Sequence, residues 1–550
     1  MLEGLVQHDF PITLGYVLDR LRTVNHSGEI VTFNGEGTDR ASYGDVARRV
    51  DRLARGLQNL GVKPGDRVAT LAWNSQRHFE CYLAIPAMGA VLHTLNLRLS
   101  PEHLTYIANH AEDTVVLLDD SLVELWEKVV PNLETVRHHV LMGDGDGGSL
   151  PNLVRYEELL DQAGDGGFEY PELTDRQAAA LCYTSGTTGN PKGVLYSHRS
   201  AVLHAMGSCL ADTLSVGRAD RILPIVPMFH ANAWGLPYAA ALAGADLIMP
   251  SRWLQAEPLS RLIETERVTV SGAVPTIWMD ILRYADEHKP DLSSLRLVAC
   301  GGSAVPRALM QALEERHDVP LQQAWGMTET SPLGSVARPP RDAEGETHWF
   351  YRSTAGRPVA LVDIRIVDEA GEELPWDGEA TGELECRGPW VASAYYRDDA
   401  PEKFHDGWLR TGDIASIDPD GYIIIRDRTK DVIKSGGEWI SSVDLENELM
   451  AHPDVVEAAV IAKPDERWAE RPLACIVVKQ GASLDAKAIV EHLEPRVARF
   501  WLPDEIAFIE EVPKTSTGKF DKKVLRQRLA DGELTDRQTV TRTPEPARSS

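Results

Sequence analysis

Apolar and polar residues follow two rhythms along this chain. Over residues 43–60, Val46, Val50, Leu53, Leu57 and Leu60 recur at helical spacing, and Gly61 follows as a stop signal. Residues 66–72 read as a strand, 78–88 as a helix, 90–95 and 115–118 as further strands. Such alternation predicts a parallel sheet covered by helices. A polar Gly/Asp-rich loop occupies 143–148, and the rhythm resumes with strands at 221–227, 247–249, 268–274 (closed by Pro275) and 295–300, and a helix at 259–266. From about residue 355 the strands are short and separated by turns, at 363–367, 382–387 and 422–425, which predicts a small antiparallel region. Beyond about Asp427 a smaller α+β unit is expected, with helices at 443–451 and 486–497 and strands at 456–462, 474–478 and 505–509. Residues 531–550 are polar, contain Pro544 and Pro546, and read as a disordered tail.

Composition narrows the class. At 550 residues the chain should hold more than one domain. It is 43% hydrophobic and 25% charged, ordinary values for a globular protein. The net charge of -27 argues against a general nucleic-acid binder. A site for an anion must therefore build its own local positive potential. The six cysteines, Cys81, Cys182, Cys209, Cys300, Cys386 and Cys475, show no C-x-x-C spacing, which predicts buried thiols in a reducing compartment and no zinc framework. Residues 1–20 carry no secretory pattern and no apolar run is long enough to span a membrane, so a cytoplasmic protein is expected.

The most informative stretch lies at 183–193, between the strand-like runs 178–182 and 194–198. Its Thr184, Ser185, Gly186, Thr187, Thr188, Gly189 and Lys192 suit a polyphosphate: glycines admit close approach, hydroxyls donate, and the lysine adds charge. It is not a Walker A loop, because Lys192 follows Pro191 and Gly193 follows the lysine.

Other stretches line up behind it: Gln323-Ala324-Trp325-Gly326-Met327-Thr328-Glu329-Thr330, Thr411-Gly412-Asp413, the run from Asp427 to Glu438, and Pro513-Lys514-Thr515-Ser516-Thr517-Gly518-Lys519. In order and spacing, from about Tyr43 to Leu529, the chain resembles the adenylate-forming superfamily. Within it the nearest resemblance is to bacterial medium- and long-chain fatty acyl-CoA synthetases, carried by 196–200, 227–234 and 435–442. The resemblance implies an α/β fold: a large N-terminal domain over 1–427 with parallel sheets, helices and a small β region, a hinge at 428–434, and a small mobile α+β domain over 435–530. It implies a two-step reaction. A carboxylate attacks the α-phosphate of ATP to give an acyl-adenylate and pyrophosphate, and the thiol of coenzyme A then displaces AMP.

The same resemblance assigns roles. Lys519 would bridge carboxylate and phosphate. Thr184 and Glu329 would hold Mg²⁺, which favours oxygen ligands shared with phosphates. Asp413 and Arg428 would take the ribose hydroxyls. Trp325 would stack on adenine, with Gly301, Gly302, Ser303, Gly326, Met327 and Thr328 beside the nucleotide. His230, Trp234, Gly302, Gly326, Leu333 and Trp439 would line the acyl pocket. Apolar residues flanking the motifs (Met228, Trp234, Trp325, Met327, Leu333) favour an aliphatic acid. Lys430, between Asp427 and Asp431 in an exposed charged hinge, would be the pivot. Lys434, Ser435, Gly436, Gly437, Glu438 and Trp439 would receive coenzyme A after rotation. A short thioether acid such as 3-methylmercaptopropionate, or transfer of the acyl group to another acceptor, remains open, as does a homodimer through the N-terminal domain.

Overall fold

The computed structural model describes residues 2, 4–184, 190–435, 438–465, 467–515 and 519–540, the side chains of Glu438 and Trp439 excepted. Ser185, Gly186, Thr187, Thr188 and Gly189 of the Gly/Thr loop, Gly436 and Gly437, Thr517 and Gly518, and residues 541–550 lie outside the described residues.

Among the described residues the strands form four sheets. In the seven-stranded sheet, Leu153–Arg155, His138–Met142, Asp113–Asp119, Arg67–Leu71, Val91–Thr94 and Ala178–Tyr183 run parallel, and Gly193–Ser197 closes the edge antiparallel. In the nine-stranded sheet, Leu321–Gly326, Leu297–Gly301, Val270–Ala273, Arg221–Pro224, Asp246–Met249 and Glu29–Phe33 form the parallel centre. A five-stranded antiparallel sheet spans Asp363–Val367 to Ile423–Arg428, and a six-stranded sheet holds the C-terminal region. The α/β class and the change of texture after residue 355 are therefore as expected.

The two large sheets share a core. Helices Leu14–Arg22, Tyr43–Asn59, Gln76–Ala87, His198–Cys209 and Leu236–Ala243 bury side chains in one cluster with Val68 and Leu92 of the first sheet and Ile222 and Leu247 of the second. Local chemistry supports these elements. Ser42 and Asp45 cap Tyr43–Asn59 reciprocally, each side chain accepting from the other's backbone N–H. Gly56 allows helix Tyr156–Ala163 to pack close, since a Cβ there would lie 2.6 Å from Leu159 Cγ.

One strand was not anticipated, and three features depart from the expectations. Glu29–Phe33 pairs with Asp246–Met249, a partner more than 200 residues away, and Glu29 N–H donates to Asp246 Oδ1 at 2.8 Å. Pro275 does more than close a strand: it opens helix Pro275–His288, where its missing N–H has no helical partner to lose, and Trp278 and Ile281 are buried on that helix. Asp427 is buried rather than exposed in a charged hinge, because the Ser442 N–H donates to its Oδ2 at 2.6 Å; Lys430 is exposed as expected. The polar stretch from Asp531 is not a uniformly disordered tail. Arg537–Thr539 pairs antiparallel with Glu505–Phe508, Leu534 is buried, and Gln538 Oε1 accepts from the Ala486 N–H at 2.9 Å. Few apolar residues are needed here, because backbone pairing along a sheet edge holds the segment.

Ending the chain at Asp536 removes that edge strand. Amide hydrogen exchange at Ile506, which is registered with Gln538, is then expected to quicken, and thermal melting to begin earlier; unchanged protection there would contradict the pairing.

Candidate functional site

A cavity of about 1730 Å³ opens where the nine-stranded sheet, the five-stranded sheet and the C-terminal region meet. It lies at the carboxyl ends of Leu297–Gly301 and Leu321–Gly326, where open parallel sheets bind ligands. Thr184, Lys192, His230, Trp234, Gly301, Gly302, Ser303, Trp325, Gly326, Met327, Thr328, Glu329, Leu333, Asp413, Arg428, Lys430 and Lys519 all line it. The sequence motifs, hundreds of residues apart, thus converge on one wall-to-wall site.

The two strands that flank the Gly/Thr loop are closed against each other at this wall. Ala178–Tyr183 and Gly193–Ser197 pair antiparallel, Thr184 N–H donates to Lys192 C=O at 2.9 Å, and Lys192 N–H returns a bond to Thr184 Oγ1 at 3.1 Å. Lys192 Nζ sits 3.3 Å from Asp398 and 4.8 Å from the Tyr395 ring centroid. Glu329 follows in a short 3₁₀ turn, Thr328–Thr330. The Tyr395 hydroxyl donates to its Oε1 at 2.6 Å, and among the described residues no Lys or Arg ion-pairs with it. Gly326 is required before that turn: a Cβ there would lie 1.6 Å from the Pro332 carbonyl oxygen.

Asp413 and Arg428 stand directly opposite each other on adjacent antiparallel strands. Arg428 Nε lies 2.6 Å from Asp413 Oδ1, and Trp325 Nε1 donates to Oδ2 at 2.9 Å. Trp325 therefore orients the carboxylate as well as walling the cavity. Lys519 arrives from the C-terminal region with its backbone tied to Thr515: Thr515 N–H donates to Lys519 C=O at 2.7 Å, and Lys519 N–H donates to Thr515 Oγ1 at 3.2 Å. Its side chain passes over Gly302, where a Cβ would come within 3.3 Å of Lys519 Cε. The φ of +88° at Gly302 also favours glycine.

These placements set the electrostatics. Withdrawal from water, reinforced by the charge of Arg428 and opposed by Asp413 and Glu329, pushes the Lys519 ammonium down to about 8. Burial, with the charges of Lys519 and Arg98, pushes His230 down to about 3. His230 is thus a neutral imidazole, a hydrogen-bonding group and not a cation.

Trp234 enters the cavity from an unusual backbone. Ala231, Asn232, Ala233, Trp234 and Gly235 have φ of 41°, 51°, 50°, 56° and 69°, a left-handed turn that costs roughly 1–2 kcal/mol for each non-glycine residue. Surrounding contacts hold it: the Cys182 thiol donates to Asn232 Oδ1 at 3.0 Å, and Gly235 faces His204 so closely that a Cβ would meet Nδ1 at 2.4 Å. Trp234 then lies over two more glycines, its ring 3.5 Å from a Cβ position on Gly272 and 3.8 Å from one on Gly301.

Some expected residues lie elsewhere. Lys434 and Ser435 do not line the cavity; Ser435 is buried and accepts from Arg471 at 3.0 Å, while Lys434 N–H donates to Glu470 at 2.8 Å. Met228 is buried in the core rather than in the cavity wall. Glu438 and Trp439 are described only as backbone of strand Glu438–Ile440. Conversely, the cavity contains groups absent from the sequence reading. Tyr395, Asp398 and Lys403 line it, and burial lowers the Lys403 amine while Glu329 and Asp413 oppose that shift. The run Tyr395-Tyr396-Arg397-Asp398 was the available signal, two aromatics beside opposite charges. All six cysteines are free, and five are buried. Among the described residues no helix is long and apolar enough to cross a membrane.

Comparison with known proteins agrees with this geometry. The family model described as AMP-binding enzyme matches residues 22–396, and that of the AMP-binding enzyme C-terminal domain matches 444–519. The chain is 42% identical over 528 residues to the 3-methylmercaptopropionyl-CoA ligase of Ruegeria lacuscaerulensis, covering 95% of this chain and 98% of the relative. It is 42% identical over 527 residues to the medium-chain-fatty-acid–CoA ligase of Ectopseudomonas oleovorans, covering 94% and 96%. Among solved structures, the anthranilate CoA ligase AuaEII in complex with anthranoyl-AMP superposes with a TM-score of 0.86 at 27% identity, covering 95% of this chain and 99% of that one. With both family models matched in order and the site assembled where they meet, the chain belongs to the AMP-binding enzymes of the adenylate-forming superfamily.

Proposed function

We propose that this enzyme converts a medium- or long-chain fatty acid to its coenzyme A thioester with ATP, releasing pyrophosphate and AMP. The observation that carries this is the seating of Lys519 against Gly302, in the same cavity as Asp413, Arg428 and Glu329. An acid-thiol ligase of this type must first bring a carboxylate to a phosphate, two anions, and needs a fixed cation between them. Lys519 fills that role. A carboxylate oxygen forms a bond to the α-phosphorus and the pyrophosphate oxygen leaves. Asp413 and Arg428 hold the ribose, and Gly302, Ser303, Trp325 and Gly326 form the nucleotide wall. We assign binding of the phosphates to Thr184, Ser185, Gly186, Thr187, Thr188, Gly189 and Lys192.

Mg²⁺ fits the donors present. Glu329 is a buried carboxylate without an ion-pair partner among the described residues, and Thr184 offers a hydroxyl nearby in the same cavity. Bound there with phosphate oxygens, the ion supplies charge neutralisation.

In the second step the thiol sulfur attacks the acyl carbon and AMP leaves. Lys519 must then withdraw. We assign residues 1–427 to the N-terminal domain, 428–434 to the hinge and 435–530 to the mobile domain, with exposed Lys430 as pivot. Rotation would part Ser442 from Asp427 and bring Lys434, Ser435, Gly436, Gly437, Glu438 and Trp439 to the cavity. The position of Lys434 and Ser435 away from it fits this alternation. His230, Trp234 and Leu333 wall an apolar acyl pocket, which favours an aliphatic tail. The short thioether acid used by the Ruegeria relative is the second reading, and a different acyl acceptor the third; dependence of product on coenzyme A separates the latter. The exposed apolar side chains Leu5, Val6 and Phe10 support a homodimer through the N-terminal domain, and the free buried cysteines a cytoplasmic setting.

Two outcomes test this. Lys519→Ala should cut acid-dependent pyrophosphate release by about a hundred- to a thousandfold, while thiolysis of supplied acyl-adenylate by coenzyme A persists. Equal loss of both half-reactions would place Lys519 in general folding rather than adenylation. The pH profile gives the second. The cation is the active form and its amine is held down to about 8, so kcat/KM for ATP should be level below that pH and fall as pH rises through it. Lys519→Arg, which stays charged, should abolish the fall whatever its overall rate. A flat profile in the unaltered enzyme would contradict the assignment.

A further inference from the structure

Beyond Trp234 the pocket ends on a face of the nine-stranded sheet whose composition changes from strand to strand. Gly272 is registered with Ala299, and Ala299 with Gln322, on parallel strands. On the next, antiparallel strand Ala324 faces Val336, and Ala337 N–H donates to Gln323 C=O at 2.9 Å. Arg338 follows just past that strand's end, where its N–H donates back to the Val336 carbonyl at 3.1 Å. Registered neighbours share a face, so Gly272, Ala299 and Gln322 form a row across it, and Arg338 stands just past the end of the adjoining strand. This is the face turned to Trp234, and Ala299 and Leu214 line the cavity there.

The row begins apolar and ends polar. Gln322 is 6% exposed, yet neither its amide oxygen nor its amide nitrogen has a hydrogen-bond partner. The buried Nε of Arg338 has none either. Arg338 Nη2 donates to the carbonyl of Thr213, the residue before cavity-lining Leu214, at 2.8 Å, and among the described residues no carboxylate pairs with Arg338. Buried polar groups without partners are rare and destabilising, and a purely alkyl tail would leave all three unmet. Along the strand, Ala299 lies three residues before Gly302, about 10 Å from the seat of Lys519. An extended chain of medium length would bring its far end to cavity-lining Ala299, one strand from Gln322, which with Arg338 lies just behind the cavity lining.

We propose that Gln322, together with Arg338, determines specificity: the pocket selects acids of medium length whose distal end carries a hydrogen-bonding oxygen, over plain alkyl acids of equal length. This rests on the acyl-CoA ligase reading and refines its substrate. A hydroxyl or carboxylate oxygen at the far end would accept from Gln322 Nε2 and Arg338 Nε, and a hydroxyl would also donate to Gln322 Oε1. Sites built to bond a substrate oxygen reject analogues lacking it, because their own groups are then left unpaired.

The test compares coenzyme A thioester formation from octanoate, ω-hydroxyoctanoate and suberate by the full chain and by Gln322→Leu. The intact enzyme should prefer one or both oxygenated acids in kcat/KM by about tenfold or more. Preference for suberate would assign the end group as a carboxylate facing Arg338, and preference for the hydroxy acid as a hydroxyl facing the amide. Gln322→Leu should lose that preference while keeping octanoate turnover, which also shows that it folds. If that variant is inactive with all three acids, Gln322→Asn decides, since its shorter amide should move the preferred chain one methylene longer. Equal or better use of octanoate by the intact enzyme, or an unchanged preference in the variants, overturns the proposal. Absence of any thioester with any acid would instead defeat the ligase reading beneath it.

Discussion

A lysine ammonium held out of water beside fixed charges is the constraint around which this protein is built. Two anions cannot approach in water without cost, and a cation in bulk solvent screens them weakly. Here Lys519 is carried on a loop of the C-terminal region into a cavity of the larger part of the chain, against Gly302 and within the field of Arg428, Asp413 and Glu329. The loss of hydration depresses its affinity for a proton, and the two carboxylates oppose that loss, so it remains mainly charged at neutral pH. The same low-polarity surroundings that make the ammonium expensive strengthen its pull on a carboxylate and a phosphate. In the proposed reaction this cation must arrive and leave, which fits its place outside both large sheets.

The large sheets supply a fixed frame, to which the C-terminal region brings Lys519. The carboxyl ends of parallel strands deliver Gly301 and Trp325 to the same rim, and adjacent antiparallel strands set Asp413 opposite Arg428. Close packing is tolerated only because particular side chains are missing: none fits at Gly326 against Pro332, and Gly272 and Gly301 leave the floor on which Trp234 lies. The left-handed run at 231–235 stores strain to put that tryptophan there. Its persistence against cost fits a pocket whose shape matters to function.

Much of this was readable from residues alone, and the reasons are local. The helix at 43–60 declares itself by periodicity and by Ser42 and Asp45 at its start. The loop around Thr184, the Gly326–Glu329 turn, Asp413 and Lys519 are short motifs whose chemistry survives without knowledge of the fold. What escaped was long-range. Nothing near Glu29 announces Asp246 as its partner, and nothing polar at Arg537 announces a strand, because sheet pairing needs only backbone groups. Asp427 looks like a solvated hinge residue until the Ser442 amide buries it. Tyr395, Lys403 and Gln322 acquire meaning only from neighbours that the chain reaches by folding: Glu329 for the first two, and for Gln322 a strand face with no partner for its amide.

The central claim is activation of a carboxylic acid through its adenylate before transfer to a thiol. The most direct measurement supplies a fatty acid labelled with heavy oxygen in its carboxyl group, together with ATP, Mg²⁺ and coenzyme A, and determines by mass spectrometry which phosphate product carries the label. The account predicts one labelled oxygen in AMP and none in pyrophosphate, because the carboxylate oxygen that attacks the α-phosphorus departs with the nucleotide. Unlabelled AMP, or label in inorganic phosphate, would mean that the acid is activated by another route and that the charge of Lys519 serves a different step.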